Sequence, residues 1–244
     1  MKSLKNHPFA VQAHFESSIV LTFAVPKEQL LKLVPERLEL DTFRDKWAFI
    51  AIAMVQTKGL RPKGFPQILG NNFFLIGYRI FVRYRNNDGK NLRGLFILKS
   101  ETNKKKMELL GNIFTHYKYT TTDLATSTND GVKNILSDQS QLEISIKETD
   151  GDVLLPKNSP FTDWREARKF AGPLPHTFTV NSKEKTILTV LGVRQNWKPK
   201  PIHVISYKIG FLDQLEFSNV VLASAFEIKD IPYHWKKGKI EKWN

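Results

Sequence analysis

A histidine and a lysine separated by one residue are the side chains of this sequence best suited to chemistry. His116 titrates near neutral pH and can transfer protons, and Lys118 carries a primary amine that could attack a carbonyl. Neighbouring positive charges lower the pKa of such an amine, because they disfavour its protonation. We therefore predict His116 and Lys118 as catalytic candidates, although an exposed strand surface would show the same spacing.

Three further residues are candidates for ligand binding. Arg79 lies in an aromatic and β-branched segment, and a guanidinium holds a carboxylate through two parallel hydrogen bonds. Arg61 lies in Lys58–Leu69, a Gly- and Pro-rich segment that predicts a loop covering or lining a site. Tyr117 lies between the two catalytic candidates. We predict that Arg79, Arg61 and Tyr117 contact a bound ligand.

A hairpin should position Arg79. Phe73–Arg85 has strand composition, and in its second half aromatic and aliphatic residues alternate with Arg79, Phe81 and Arg83. Asn86-Asn87-Asp88-Gly89 predicts a tight turn, and Leu92–Lys99 predicts the returning antiparallel strand. The alternation does not reveal which face of the first strand lines a cavity.

A short helix should precede His116. Met107, Leu110 and Phe114 recur at three- and four-residue steps, so we predict a helix capped by Thr102 or Asn103 that ends near Gly111 or a little beyond. Phe114–Tyr119 is expected to be extended. It would place His116 and Lys118 on one face, with Tyr117 and Tyr119 on the other.

The remaining chain reads mostly as strands with about three short helices in all. We predict an α+β fold, predominantly antiparallel β, as a single domain over residues 1–244, with a turn at Asp150-Gly151-Asp152 and a tail, Ile231–Trp235, that runs into a basic, frayed end. The other predicted helices are Lys27–Val34 and the segment from Thr162 to Phe170. The other predicted strands are Phe15–Val25, Trp47–Thr57, Thr120–Thr128, Leu142–Lys147, His176–Val180, Thr186–Val193, His203–Phe211 and Phe217–Ile228.

Composition narrows the class of protein. The chain has no cysteine, no apolar run long enough for a membrane helix and no secretory signal pattern, so we expect a cytoplasmic protein without membrane association. The formal net charge is +13, yet no zinc-finger, RNP-type or long basic helical motif accompanies it. Specific nucleic-acid binding is therefore not expected, although binding to nucleic acid or an anionic surface stays an alternative.

Common catalytic and cofactor motifs are missing from the sequence. It contains no GxSxG, P-loop, dinucleotide-binding or HExxH pattern, and its six histidines are dispersed. We predict no cofactor and no metal site.

The order of elements resembles that of a bacterial conserved-protein family related to acetoacetate decarboxylase. The resemblance begins with Pro26–Leu40 and Asp41–Ile52 and continues through Leu60-Arg61-Pro62 and the strand Tyr78–Val82. It resumes at Gly94–Leu98, His116-Tyr117 and Phe226–Lys237. It implies a curved sheet that closes into a cone or partial barrel around an interior cavity, with a few peripheral helices and a homo-oligomeric assembly.

The same resemblance implies that this sequence lacks the catalytic residues of the decarboxylases. In the decarboxylases a Lys-Lys pair follows a Gly-Phe-Pro turn, one lysine forms a Schiff base, and a hairpin glutamate assists. Here Thr115 and His116 stand where the lysines would be, and Arg79 stands where the glutamate would be. We therefore expect a decarboxylase-like protein that binds a small anion or carbonyl compound without that lysine pair. The alternative is an active Schiff-base decarboxylase or lyase that uses Lys118.

Overall fold

The computed structural model describes residues 4–149, 153–170, 172, 174–195 and 197–243, so the turn predicted at 150–152 lies outside the described residues. The α-helices are α1 (Lys27–Leu31), α2 (Lys105–Phe114), α3 (Trp164–Phe170) and α4 (Gly210–Asp213). The strands are β1 (Val11–Pro26), β2 (Glu39–Leu40), β3 (Trp47–Pro62), β4 (Asn71–Arg85), β5 (Asn91–Thr102), β6 (Tyr119–Thr121), β7 (Ala125–Asn129), β8 (Val132–Ser137), β9 (Leu142–Lys147), β10 (His176–Asn181), β11 (Thr186–Arg194), β12 (Lys200–Pro201), β13 (His203–Ile209), β14 (Val221–Trp235) and β15 (Lys239–Lys242).

Seven strands pair in a closed ring. Their order is β1, β3, β4, β5, β10, β11 and β14, and β14 pairs back with β1. Every neighbouring pair in the ring is antiparallel except β5 and β10. The ring confirms the predicted fold class, a predominantly antiparallel curved sheet that closes on itself.

A second sheet covers part of the outer surface of the ring. It has four strands in the order β13, β9, β8 and β7. Ile144 and Ile146 of this sheet belong to the same buried cluster as Ile50 and Tyr78 of the ring. The even-numbered residues of β4 therefore face this outer core.

Two further apolar clusters fill much of the ring interior. One contains Phe15, Leu75 and Met107, and so joins β1 and β4 to α2. The other contains Phe49 and Ala167, and so joins β3 to α3. The odd-numbered residues of β4 face inward between these clusters, which is the face that carries Arg79.

A local irregularity in β1 changes which residues face inward. The register of β1 against β3 shifts between Phe15 and Ser17. Phe15 on one side of the shift and Ser18 on the other consequently both line the interior. Without the extra residue, strict alternation would place these two side chains on opposite faces.

Several predicted boundaries were wrong. Residues 115–118 are not a strand, because α2 continues to Phe114 and β6 begins only at Tyr119. Lys104, and neither Thr102 nor Asn103, precedes the helix, and it forms no side-chain capping bond. The predicted loop at Lys58 begins as strand, since β3 extends to Pro62 around a left-handed Gly59. The basic end beyond Trp235 is not frayed, because β15 pairs with β11 there. The strand predicted to end at Ile228 continues as β14 to Trp235.

Candidate functional site

Arg79 lies on the inward face of β4, at the middle of the ring. Its register partners are Ala51 on β3 and Ile97 on β5. Its guanidinium folds back over Gly77, where a Cβ atom would come within 2.7 Å of Nε. The absence of a side chain at Gly77 is therefore what leaves space for this conformation of Arg79.

The interior beside Arg79 is not completely filled. A cavity of about 110 Å³ remains between the two interior clusters. Ala51 and Ala53 contribute small side chains to its wall, and Phe81, Ile97 and Phe226 contribute apolar surface. A cavity of this size holds a molecule of roughly six non-hydrogen atoms.

The charge of Arg79 has no counter-charge in this cavity. None of the described residues that line it is Asp or Glu, and Nε is buried without a hydrogen-bond partner in the described structure. Burial lowers the pKa of the Arg79 guanidinium, an effect that nearby Tyr233, Tyr119 and Tyr117 oppose. An interior cation without a partner is costly, so the site is suited to an anion that supplies the missing charge.

A second arginine, Arg194, reaches the same cavity from the end of β11. Its register partner is Tyr233 on β14, in the pairing that closes the ring. The guanidinium of Arg194 stacks over Trp197 with 4.1 Å between the guanidinium carbon and the ring centroid. Its Nη2 is buried without a hydrogen-bond partner among the described residues. Burial lowers the pKa of Arg194 as well, and the charge of Arg79 acts in the same direction.

Three tyrosines surround the two arginines. Burial raises the pKa of Tyr119 to about 12, and it also raises the pKa values of Tyr117 and Tyr233. The three phenols are therefore neutral near pH 7 and can donate hydrogen bonds. The Tyr117 hydroxyl faces Thr177, but in the described part of the chain it makes no hydrogen bond of acceptable geometry.

The predicted catalytic residues lie elsewhere. His116 Nε2 is 3.0 Å from Asn6 Oδ1, and burial together with the charge of Lys5 lowers the pKa of His116. Lys118 is exposed and has a left-handed backbone, with φ of 53°. Neither residue lines the Arg79 cavity, whereas Tyr117 and Tyr119 both do. The structure thus brings Arg79 and Tyr117 together and leaves His116 and Lys118 outside.

Arg61 lies in a separate surface groove. Its side chain donates hydrogen bonds to the carbonyls of Phe65 and Gly59, at 3.0 and 2.8 Å, which hold the 59–65 segment in place. The groove is also lined by His14, Lys63 and His234. Tyr233 contributes to both this groove and the Arg79 cavity, so it forms part of the wall between them.

Sequence reasoning missed Arg194, Trp197 and Tyr233. The predicted strand ended at Val193, one residue too early, and the predicted strand Phe217–Ile228 stopped short of Tyr233. A usable signal was present, because Val190, Gly192 and Arg194 continue the alternation of an apolar strand. Arg79 likewise lies within an alternating, largely apolar strand.

Other kinds of site find little support in the described structure. No lysine is among the described residues that line the cavity. Within the described ranges, no group of three or more His, Asp or Glu side chains is arranged to hold a metal ion. No helix in these ranges is long and apolar enough to cross a membrane.

The sequence matches one known family over nearly its whole length. The profile of DUF2071, described as an uncharacterized conserved protein, matches residues 12–237. No curated protein sequence matches the chain.

Solved structures with the same fold cover almost all of the chain. Acetoacetate decarboxylase from Legionella pneumophila superposes with a TM-score of 0.64 at 9% identity, covering 96% of this chain and 88% of that one. An acetoacetate decarboxylase-like enzyme from Sphingomonas wittichii RW1 gives 0.59 at 9% identity, covering 97% and 94%. The enduracididine biosynthesis enzyme MppR, complexed with pyruvate, gives 0.57 at 8% identity, covering 96% and 90%. At these identities the comparisons establish an acetoacetate decarboxylase-like fold.

Proposed function

Because this chain belongs to the DUF2071 family and has an acetoacetate decarboxylase-like fold, we propose that it binds a small organic carboxylate inside its ring of strands. Arg79 holds the carboxylate through its guanidinium, and Tyr117 donates a further hydrogen bond. The ligand is bound without forming an imine.

The unpaired charge of Arg79 is the observation that carries this proposal. On the same hairpin, two other arginines of the described structure have a buried carboxylate partner. Arg83 and Arg93 each lie 2.6 Å from a carboxylate oxygen of the buried Asp41. Arg79 lies deeper than either and has no such partner. A ligand carboxylate would supply both the missing charge and a planar pair of acceptors.

The neighbouring structures are compatible with a ligand of this class. MppR, which shares the fold, was solved as a complex with pyruvate, a small 2-oxo carboxylate. Pyruvate has six non-hydrogen atoms, which is about what the cavity beside Arg79 holds. We therefore place small 2-oxo and 3-oxo carboxylates first among the compounds to test.

Imine formation is left out of the proposal for a geometric reason. A Schiff base requires a lysine amine at the bound carbonyl, and the described cavity lining includes no lysine. Lys118 is exposed, and its neighbours Tyr117 and Tyr119 face the cavity in its place. Treatment with borohydride and pyruvate or acetoacetate should add no mass to any lysine. A stoichiometric adduct at Lys118 would overturn the imine-free part of the proposal.

Calorimetric titration tests the binding itself. Acetate, propionate, pyruvate and acetoacetate are titrated alongside acetamide and propionamide, which have nearly the same shapes without the charge. We expect carboxylates to bind and amides not to. Arg79→Ala should weaken the binding about 10- to 100-fold, the effect of losing a charged hydrogen-bonding partner.

Arg85→Ala is the matched control for that titration. Arg85 is on the same strand but is exposed, at its end, and it does not line the cavity. Its removal changes the net charge equally and should leave the affinity unchanged. Equal loss in both variants, or equal binding of carboxylates and amides to the wild-type protein, would refute binding at Arg79.

A further inference from the structure

We propose that the natural ligand carries two separated negative charges, as a short aliphatic dicarboxylate does, and that Arg194 binds the second one. This inference rests on the proposed function and specifies its ligand. Arg79 alone would accommodate a monocarboxylate. The presence of a second arginine in the same small cavity is what extends the requirement to a dianion.

Charge balance is the first argument. Arg79 and Arg194 both line a cavity of about 110 Å³ whose described lining contains no acidic side chain. Among the ion pairs of the described residues, neither arginine takes part in one. A monoanion would neutralise one guanidinium and leave the other uncompensated in a largely apolar enclosure, whereas a dianion neutralises both.

The placement of the two arginines around the ring is the second argument. Arg79 is on β4 and Arg194 is on β11, with β5 and β10 between them on one side and β3, β1 and β14 on the other. At a spacing of about 4.8 Å, seven strands enclose a ring roughly 11 Å across or somewhat wider. The strands that carry the two arginines therefore lie on nearly opposite sides of the ring, and a ligand held between the two side chains would present one charge to each.

The orientation of Arg194 is the third argument. Stacking on Trp197 occupies a face of the guanidinium plane, but hydrogen bonds form at its edge. At that edge, Nη2 is buried and has no acceptor among the described residues. Three other polar groups are likewise buried without a hydrogen-bond partner among the described residues: Nε of Arg79, Nε1 of Trp197 and the hydroxyl of Tyr117. These donors match a ligand with several acceptor oxygens better than one with a single carboxylate.

The cavity also limits what joins the two charges. The surface near the arginines is apolar, with contributions from Phe81, Leu95 and Ile97. Because the cavity holds roughly six non-hydrogen atoms, the linker between the carboxylates should be no longer than about one carbon atom. Malonate is accordingly the first probe, succinate is the longer comparison, and inorganic phosphate is the comparison dianion whose charges are not separated.

Titration of diacids against their half-amides tests the proposal. Malonate is compared with malonamate, and succinate with succinamate, since each half-amide keeps the shape and loses one charge. In the wild-type protein we expect at least one diacid to bind about 10-fold or more tightly than its half-amide. In Arg194→Gln this preference should fall to within about 3-fold, while binding of the half-amide is retained.

The outcomes separate this inference from the proposed function. Equal affinity for diacid and half-amide, or an unchanged preference in Arg194→Gln, would overturn the dianion inference while leaving carboxylate binding at Arg79 intact. Tighter binding of inorganic phosphate than of either diacid would overturn the inference that the two negative charges of the ligand are separated. Failure of every anion to bind would overturn both proposals.

Arg194→Lys guards against a folding artefact. If Arg194→Gln lowers the thermal stability of the protein, the lysine variant keeps the charge but loses the fork of parallel donors. It should keep part of the preference for the diacid. Complete loss of that preference in a folded Arg194→Lys protein would contradict a role for the charge.

Discussion

The guanidinium of Arg79 lies directly over Gly77, two residues earlier on the same strand. A Cβ atom at Gly77 would come 2.7 Å from Nε and 2.9 Å from one terminal nitrogen of Arg79. These distances are shorter than any normal non-bonded contact, so a methyl group there must displace the guanidinium. Gly77 thereby determines where the positive charge of the cavity is held.

Gly77→Ala should consequently weaken carboxylate binding without removing the arginine. We expect an affinity loss of about 10-fold, because the displaced guanidinium keeps its charge but loses its two-point geometry. Calorimetric titration with pyruvate measures it. In the Arg79→Ala background the methyl group meets no guanidinium, so Gly77→Ala should there raise the free energy of unfolding by about 0.5 kcal/mol. Unaltered affinity in the single variant would show that Arg79 can bind from another conformation.

Gly192 should be less tolerant of substitution than Gly77. A Cβ atom at Gly192 would lie 2.0 Å from the hydroxyl oxygen of Tyr233. The Tyr233 ring cannot move easily, because it stacks on Phe15 at 4.6 Å and packs against Trp235 at 4.5 Å between centroids. We expect Gly192→Ala to lower the free energy of unfolding by about 1–3 kcal/mol in urea titrations. The cost should shrink in a Tyr233→Phe background, and an equal cost there would place the clash elsewhere.

Asp41 should be the most important carboxylate outside the cavity for stability. It is completely buried and binds both Arg83 and Arg93 at 2.6 Å. The side chains of both arginines remain more than a third exposed, so water can solvate them when the carboxylate is lost. We therefore expect Asp41→Asn to lower the free energy of unfolding, measured by urea titration, by about 2 kcal/mol, which is less than the loss for a fully buried pair.

Asp45→Asn is the matched control for Asp41→Asn. Asp45 also forms an ion pair, with Lys27 at 2.6 Å, but it is 85% exposed. Asparagine tolerates its left-handed backbone, where φ is 51°. Asp45→Asn should change the free energy of unfolding by no more than about 0.5 kcal/mol in the same urea titration. Comparable losses for the two variants would mean that burial does not strengthen the Asp41 contacts.

His7 should make the fold sensitive to mild acid. Burial lowers the pKa of His7 below its ordinary value of 6.5. The folded protein therefore takes up a proton less readily than the unfolded chain, and stability falls as the pH drops below about 6.5, whereas it is unaffected by His7 above that pH. Asparagine can adopt the left-handed backbone of His7, where φ is 53°.

His7→Asn should therefore flatten the dependence of the melting temperature on pH between neutral and mildly acidic solution. His203→Asn, at an exposed strand position, serves as the comparison variant. Groups other than these two histidines should lower the melting temperature on acidification equally in the wild-type protein and in both variants. If His7→Asn keeps the full wild-type slope, His7 is not the group responsible.

The resemblance to the decarboxylases singled out Arg79 but not Arg194. Arg79 lies in a long alternating strand whose place in the hairpin could be matched to theirs, because alternation is a property of adjacent residues. Arg194 acquires its position from a pairing with Tyr233, 39 residues later in the chain, which also required β14 to extend past Ile228, where the predicted strand ended. Pairing across such a separation is decided by tertiary packing and leaves little local signal.

The wrong conformation predicted for residues 114–119 has a different cause. The predicted extended segment contains a left-handed residue, Lys118, and such a conformation in a residue other than Gly, Asn or Asp has no clear sequence signature. The alternation nevertheless separated Tyr117 and Tyr119 from their two neighbours correctly, since both tyrosines line the cavity. What the pattern could not decide was which of the two sets lies inside.

The pairing between β11 and β14 is only three residues long, and one of its three pairs is Arg194 with Tyr233. The pairing that closes the ring of strands is thus made partly by residues that line the cavity. A molecule held by Arg194 would stabilise this pairing, so occupancy and closure are thermodynamically linked. By the same linkage, transient separation of β11 from β14 would let the ligand enter and leave. No other opening in the ring would then be required.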